Sequence, residues 1–200
     1  MKLLAYEVDK RSFLGIFNED ETWVYPISAA GMEYRSMKDL IREAGPSEME
    51  MLDYISKKAP GDVTGAAPVE EIKIVSPIPE PDQDIICLGI NYMDHAAESA
   101  RFQKEEFARP EKAIYFSKRV NRTNDPDGII PAHKNLTNQL DYEAELAVII
   151  KKDAKDVKPE EVKDYIFGYT IMNDVSAREV QTEHKQWYFG KSLDGFTPLG

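Results

Sequence analysis

Closely spaced prolines divide this sequence into two parts. From Pro77 to Pro81 a proline stands at every second position. Each proline fixes its φ angle and lacks a backbone N–H, so the stretch sustains neither a helix nor a central strand. We therefore expect two domains, a small N-terminal domain over residues 1–75 and a larger domain over residues 76–200.

Short apolar segments on both sides of this stretch predict an α+β fold in which strands predominate. Apolar and aromatic segments in residues 1–27, separated by turns, are typical of a small antiparallel meander. Helices are expected over 36–44, 48–58, 94–107 and 159–164. In the larger part, strands are expected over 85–89, 113–116, 142–150 and 165–172, and the last half of 142–150 has the pattern of a buried strand.

The net charge and the single cysteine limit which partners and which cellular compartment we expect for this protein. The net charge of −11 argues against nucleic acid or an anionic membrane as a partner, because both require a basic surface. No segment approaches the ~20 apolar residues that span a bilayer, and the first residues lack an apolar stretch of signal-peptide length. The single cysteine, Cys87, cannot form an internal disulfide. We therefore expect a cytoplasmic protein.

Three acidic residues near the ends of predicted strands form a candidate metal site. Glu143 and Glu145 are two positions apart in a predicted strand, so their side chains point the same way. Two like charges side by side repel unless a cation such as Mg²⁺ neutralises them. An exposed strand end whose carboxylates face water explains this common pattern equally well. Asp174, which follows the next predicted strand, could complete a set of three oxygen ligands.

Two further groups of residues combine side chains that are suited to catalysis or to substrate binding. His95 and Glu98 are three positions apart on a predicted helix, where the carboxylate would orient the imidazole and raise its basicity. Arg178 and Gln181 have the same spacing, and arginine binds carboxylates through two nitrogens. Lys191 follows a glycine and could stabilise an oxyanion. A chance surface pair and surface salt bridges remain the alternative interpretations.

Four segments, taken in order, resemble the fumarylacetoacetate hydrolase superfamily. The segments are 89–98, 140–146, 168–178 and 186–200. The resemblance covers about residues 75 to 200, and the N-terminal region resembles the accessory domain that many members carry. It implies a mixed β-roll catalytic domain preceded by a small α+β domain, usually paired into a homodimer.

The resemblance also implies roles for individual residues. The positions that match the family's metal ligands, for Mg²⁺ or alternatively Mn²⁺, are Glu143, Glu145 and Asp174. The positions that match its catalytic dyad, on a mobile lid, are His95 and Glu98. The positions that match its pocket residues are Arg178, Gln181, Lys118 and Lys191, of which Lys191 is assigned a catalytic role.

Two departures from the family pattern stand out. Glu179 occupies a position where many members have Asp, and we expect that change to be mild. Family members continue through further strands, so the domain that ends here at Gly200 is expected to be incomplete at its C-terminus.

The resemblance implies an enzyme that acts on small 2-oxo acids. The expected reaction is Mg²⁺-dependent hydrolysis of a C–C bond in a 3-acylpyruvate, in which the metal acts as Lewis acid, His95 activates water and Lys191 stabilises charge on oxygen. Isomerases, decarboxylases, hydratases and dehydratases share the scaffold, so the fold alone does not select the reaction. A non-catalytic cation-binding module is the alternative from a different class.

Overall fold

The structure, a computed structural model, describes residues 1–92 and 112–200. It shows an α+β fold in which strands predominate, as the sequence predicts. The expected helix over 94–107, with its dyad His95 and Glu98, lies outside the described residues. None of the helices in the described part is long and apolar enough to cross a membrane.

The N-terminal part is built on a five-stranded antiparallel sheet with strand order β4-β3-β2-β1-β5. The strands are β1 (Leu3–Val8), β2 (Arg11–Phe17), β3 (Trp23–Pro26), β4 (Ala67–Pro68) and β5 (Lys73–Val75). The expected meander is present as β1 to β3. Asp9 and Lys10 form the tight turn between β1 and β2 with φ angles of 50° and 63°, which two-residue hairpin turns require.

Two helices bury their apolar sides in the core of this part. Helix α1 (Met37–Glu43) begins where expected, because the Ser36 side chain accepts the Asp39 N–H. Helix α2 (Pro46–Ser56) begins two residues before the expected position, since proline suits the first turn of a helix. Three 3-10 turns complete the connections, at Ile27–Ala30, Pro60–Asp62 and Val69–Glu71.

Among its described residues, the larger part contains antiparallel strand pairs and two short α-helices. The strands are β6 (Ile85–Gly89), β7 (Ile114–Lys118), β8 (Leu140–Asp141), β9 (Ala144–Ile150), β10 (Ile166–Asn173) and β11 (Ser176–Ala177). The pairs are β6 with β7, β9 with β10, and β8 with β11. The helices are α3 (Arg178–Glu183) and α4 (Trp187–Lys191). The helix expected at 159–164 is a 3-10 helix over Pro159–Asp164.

The inner side of the β9–β10 pair packs on the N-terminal part. Ile149 and Phe167 lie against the N-terminal apolar core, together with Ile78 from the proline-rich stretch. Nearby, the hydroxyls of Ser76 and Thr123 form a buried hydrogen bond of 2.6 Å. These contacts support the strand pair that carries the acidic residues.

The outer side of the β9–β10 pair differs from expectation. The continuous apolar run predicts a strand covered on both faces, yet Leu146 and Val148 are 61% and 46% exposed. Their cross-strand partners Ile171 and Tyr169 are exposed as well. Only the inner face is covered within the described residues.

We expect Leu52→Ala to lower the free energy of unfolding by about 2–5 kcal/mol, because it leaves a cavity in the core. Leu52, in α2, has no exposed surface. Urea denaturation measures the change. Met51→Ala is the matched control, since the preceding side chain is 46% exposed, and its effect is expected to stay within about 0.5 kcal/mol. Equal losses in the two variants would contradict this account of the core.

Candidate active site

Strand pairing brings two acidic residues together. Antiparallel pairing sets Ala144, where β9 begins, opposite Asn173, where β10 ends. Glu143 and Asp174, the next residues outward, are therefore neighbours, and the Asp174 N–H donates to the Glu143 carbonyl oxygen over 2.8 Å. The Asn173 side-chain oxygen accepts the Glu143 N–H over 3.1 Å. Residues 31 positions apart are thus fixed side by side through their backbones.

Lys191 lies between these two carboxylates. Its Nζ is 2.8 Å from Glu143 Oε2 and 2.7 Å from Asp174 Oδ2. It also donates to the Ser176 hydroxyl over 3.0 Å, and its side chain is 3% exposed. Charge-assisted hydrogen bonds of this kind are about twice as strong as neutral ones. One cation therefore holds two like charges that would otherwise repel each other.

The second oxygen of each carboxylate contacts a different cation. Lys118 Nζ lies 2.6 Å from Asp174 Oδ1, and Arg178 Nη2 lies 2.7 Å from Glu143 Oε1. Lys118 also donates to the Val175 carbonyl oxygen over 3.1 Å. Burial lowers the pKa of the Lys118 ammonium, and the contact with Asp174 opposes that shift. Both carboxylates are thus held on both oxygens.

Glu145 lies on the same half-buried face of the chain as Glu143, as the alternation predicts. The Asn91 side-chain amide reaches Glu145 Oε2 at 3.4 Å. Burial raises the pKa of the Glu145 carboxyl, the hydrogen bonds of Asn91 and Tyr92 oppose the shift, and the charges of Glu143 and Asp174 add to it. Glu145 therefore stands within electrostatic reach of the other two carboxylates.

Asp141 orients Arg178. Arg178 Nε and Nη2 donate to Asp141 Oδ2 over 2.9 and 2.7 Å, and Nη1 donates to Gln181 Oε1 over 3.2 Å. The pairing of β8 with β11 sets Ser176 opposite Asp141, and Arg178 follows at the start of α3. Neither Asp141 nor Ser176 was predicted from the sequence. The position of Asp141, two residues before Glu143, was the available signal, whereas nothing in the sequence marks Ser176.

A glycine lets α4 lie close to α3. A Cβ on Gly190 would lie 2.8 Å from the Gln181 backbone nitrogen and 2.9 Å from the Ala177 carbonyl oxygen. Such distances are below those of real side-chain contacts, so the position requires glycine. The close approach brings Lys191, the last residue of α4, to the ends of β9 and β10.

Aromatic packing holds β6 and β7 against α4. The rings of Phe116 and Trp187 meet edge to face with centroids 5.2 Å apart. A Cβ on Gly89 would lie 2.3 Å from the Trp187 ring, so a larger residue there would force the ring to move. The Phe116 ring centre is 5.1 Å from Lys191 Nζ, within the range of a cation–π contact.

The Glu179 carboxylate anchors the segment that precedes β8 through two hydrogen bonds. Its Oε2 accepts the Asn138 N–H over 2.7 Å and the Thr137 hydroxyl over 2.9 Å. These hydrogen bonds lower the pKa of the Glu179 carboxyl. In the same segment, the Gln139 carbonyl oxygen accepts the backbone N–H of Arg178 over 2.9 Å. The structure thus accommodates the longer acidic side chain at this position.

The structure brings the predicted site residues that it describes into one cluster. They are Glu143, Glu145, Asp174, Arg178, Gln181, Lys191 and Lys118. The predicted dyad of His95 and Glu98 lies outside the described residues. Lys118 differs from the pocket lysine that was expected, because it is fully buried and its ammonium is turned toward Asp174.

The acidic cluster supplies the donors that Mg²⁺ takes, which are carboxylate oxygens. In the part of the chain that the structure describes, however, no three His, Cys, Asp or Glu side chains are close enough together to hold a metal ion. Lys191 takes the position between Glu143 and Asp174 instead. The donor chemistry therefore fits the ion, while the side chains are arranged around the protein's own ammonium group.

Comparison with known proteins identifies a class of enzymes. The family model described as the C-terminal part of fumarylacetoacetate hydrolase matches residues 84–200. The chain is also 42% identical over 210 aligned positions to the oxaloacetate tautomerase YisK of Bacillus subtilis, an alignment that covers 100% of this chain and 68% of the relative. The chain belongs to the fumarylacetoacetate hydrolase family.

Two solved structures show the same fold. The fumarylacetoacetate hydrolase of the psychrophilic Exiguobacterium antarcticum matches with a TM-score of 0.73 and 31% identity. The maleylpyruvate hydrolase of Sphingobium sp. SYK-6 matches with a TM-score of 0.66 and 26% identity. Each match covers 100% of this chain but only 65% and 66% of the respective relatives. The chain therefore spans slightly less than two thirds of the length of these proteins.

We expect Gly190→Ala to lower the free energy of unfolding by about 1–3 kcal/mol, because the added methyl group overpacks the contact between α3 and α4. Chemical denaturation measures the loss. Gly61→Ala is the control, since a Cβ there meets no atom within 4 Å, and its effect should stay within about 1 kcal/mol. Equal stability of the two variants would show that the close approach is not required.

We expect the Cys87 thiol to react slowly with a disulfide reagent at pH 8. Burial, and secondly the negative charge of Asp174, raise the pKa of Cys87 to about 12, so the thiol stays protonated at that pH. Because the thiolate is the reactive form, the rate should be about 100-fold or more below that of the same chain in denaturant, and should rise with pH. Equal rates in the native and denatured chains would place Cys87 outside this buried, acidic environment.

Proposed function

We propose that this chain carries the active site of a Mg²⁺-dependent enzyme that interconverts the keto and enol forms of a small 2-oxo acid such as oxaloacetate. The observation behind the proposal is the meeting of Lys191 and Arg178 with the carboxylates of Glu143 and Asp174, in a chain 42% identical to an oxaloacetate tautomerase. The family resemblance implies C–C hydrolysis as the expected reaction, and the similarity to a tautomerase moves the proposal to tautomerisation. We further propose a cytoplasmic homodimer.

Tautomerisation moves one proton from the C3 carbon to the keto oxygen and breaks no C–C bond. Negative charge develops on that oxygen during the transfer, and the ammonium of Lys191 is the group suited to stabilise it. The guanidinium of Arg178, which lies beside Glu143, is the proposed partner of a substrate carboxylate. His95, paired with Glu98, is the proposed carrier of the proton.

Glu143, Glu145 and Asp174 would hold the ion, with Mn²⁺ as the alternative to Mg²⁺. When bound, it would supply Lewis-acid polarisation of the 2-oxo acid. The protein's own contribution is to hold the carboxylates of Glu143 and Asp174 next to each other. Lys118 and Arg178 contribute to this by holding the outer oxygens of Asp174 and Glu143.

Hydrolysis of a C–C bond in a 3-acylpyruvate is the second candidate. It is favoured by the 31% identity to a fumarylacetoacetate hydrolase and by the fold shared with a maleylpyruvate hydrolase. In that reaction His95, oriented by Glu98, would take a proton from the attacking water. Pyruvate and a carboxylic acid would be released, which separates this reaction from tautomerisation by its products.

We expect Glu143→Gln to lower kcat/KM for oxaloacetate tautomerisation by about 100-fold or more, because even outer-shell partners of metal ligands are worth 10–100-fold. The decay of enol absorbance in the ultraviolet follows the reaction. Glu160→Gln is the control, since Glu160 is exposed in the 3-10 helix at Pro159–Asp164 and far from the cluster in sequence, and it should keep wild-type activity. Near-normal turnover by Glu143→Gln would overturn the assignment of the metal ligand.

The same assay with oxaloacetate, acetylpyruvate and a chelator separates the candidates. Chelator-sensitive loss of the oxaloacetate enol without pyruvate release supports the tautomerase. Chelator-sensitive release of pyruvate from acetylpyruvate supports the hydrolase instead. Binding of Mg²⁺ or Mn²⁺ without turnover of either compound supports the remaining alternative, a non-catalytic cation-binding module.

A further inference from the structure

We propose that Asp141 is a positioning residue for substrate binding: it fixes the Arg178 guanidinium so that the Nη1 nitrogen, beside Gln181, is presented to the carboxylate of the 2-oxo acid. The inference rests on the proposed function, in which Arg178 is the partner of that carboxylate. It adds a residue whose role is exerted through Arg178 and not by contact with the substrate.

The pairing of β8 with β11 places Asp141 within reach of Arg178. Ser176 lies opposite Asp141 in this pair, so Arg178, two residues further on, is the diagonal neighbour of Asp141. The Arg178 backbone N–H donates to the Gln139 carbonyl oxygen over 2.9 Å, which continues the backbone hydrogen bonds past the end of the strand. Long side chains interact across such diagonals. The backbone therefore fixes where both side chains begin.

Asp141 holds the guanidinium of Arg178 through two nitrogens. Asp141 Oδ2 accepts hydrogen bonds from Nε over 2.9 Å and from Nη2 over 2.7 Å. Glu143 Oε1 lies 2.7 Å from the same Nη2 but is not bonded to Nε. Because the guanidinium is planar and rigid, a contact with Nε and Nη2 together fixes the orientation of its plane. A contact with Nη2 alone leaves the group free to turn about the bond between Cδ and Nε.

The orientation set by Asp141 leaves the Nη1 nitrogen of Arg178 for a ligand. Nη1 carries two N–H groups, and one of them donates to Gln181 Oε1 over 3.2 Å. The amide nitrogen of Gln181 has two N–H groups of its own. Within the described part of the chain, these contacts leave one Nη1 N–H and the Gln181 amide N–H groups side by side. Each oxygen of a carboxylate can accept from one of these two nitrogens.

Two features separate this contact from an ordinary surface salt bridge. Exposed ion pairs contribute little to stability, and the Asp141 side chain is 46% exposed. Asp141, however, bonds two nitrogens at once, and the guanidinium that it holds also contacts Glu143, a ligand of the proposed metal site. We therefore expect the loss of Asp141 to affect substrate binding more than folding.

The first test is steady-state kinetics on the full chain at saturating Mg²⁺, with whichever of oxaloacetate and acetylpyruvate it turns over. Asp141→Ala should raise KM about tenfold or more while kcat changes by less than about threefold, because a binding contact loses its alignment. Asp141→Asn should stay within about threefold of the wild-type KM, since its amide oxygen still accepts from Nε and Nη2. Asp153→Ala removes the same charge from an exposed position after β9, and this control should keep the wild-type KM.

A double-mutant cycle tests whether Asp141 acts through Arg178. Arg178→Gln removes the guanidinium, so adding Asp141→Ala to it should raise KM by no more than about twofold. A further tenfold rise would show that Asp141 acts by another route and would overturn the proposal.

Chemical labelling tests the positioning without relying on turnover. Phenylglyoxal modifies arginine side chains, and peptide mass spectrometry reports the rate at each one. Arg178 should react about fivefold or more faster in Asp141→Ala than in wild type, because no carboxylate then holds its Nε. Arg119, whose side chain is 59% exposed, is the internal reference and should react equally in both. Circular dichroism checks that the variants fold.

The outcomes separate this inference from the proposed function. If Arg178→Gln raises KM while Asp141→Ala does not, the positioning role is overturned and the proposed function stands. Unchanged labelling of Arg178 in Asp141→Ala overturns the positioning role as well. If the wild-type chain turns over neither oxaloacetate nor acetylpyruvate, the proposed function is overturned, and with it the role of Asp141 in substrate binding.

Discussion

The contact of the Lys191 ammonium with Glu143 and Asp174 is the interaction on which the rest of the site depends. The pairing of β9 with β10 forces these two carboxylates together through a backbone hydrogen bond. Side by side and largely shielded from water, they would repel each other. A buried cation between them removes that repulsion, and removal of the cation alone would leave uncompensated charge inside the protein. A cation between the two carboxylates is therefore what allows the strand ends to remain adjacent.

Each cation of the cluster comes from a separate element of the fold. Lys118 is the last residue of β7, Arg178 the first of α3 and Lys191 the last of α4. The placement of these three elements at the ends of β9 and β10 is consequently a condition for charge balance. The glycine at position 190 shows this most directly, because a single added carbon there would move α4 and with it the central ammonium. The contact of Gly190 with α3 therefore affects both the stability of the fold and the position of the Lys191 ammonium.

Membership of the fumarylacetoacetate hydrolase family defines the scaffold and leaves the reaction to be established by assay. The proteins that this chain resembles include a tautomerase and two hydrolases. A common feature of these chemistries is negative charge on the oxygen of a 2-oxo acid, and a site rich in carboxylates and cations is suited to it. What distinguishes the products is whether water reaches the substrate and which group moves the proton. In the proposed mechanism, those roles are assigned to His95 and Glu98.

The sequence by itself determined the local features: the capped start of α1, the strands β9 and β10, and the shared face of Glu143 and Glu145. These follow from periods of two and 3.6 residues and from the capping preference of Ser36, all of which act over a few positions. Only the tertiary structure decided that Lys191 meets Glu143 across 48 positions and that Lys118 is buried. It also decided that one face of β9 is exposed among the described residues, although the apolar run reads as buried. The physical reason is that ion pairing and burial depend on which distant segments pack together. The spacing of apolar residues within one segment does not specify which other segment it will contact.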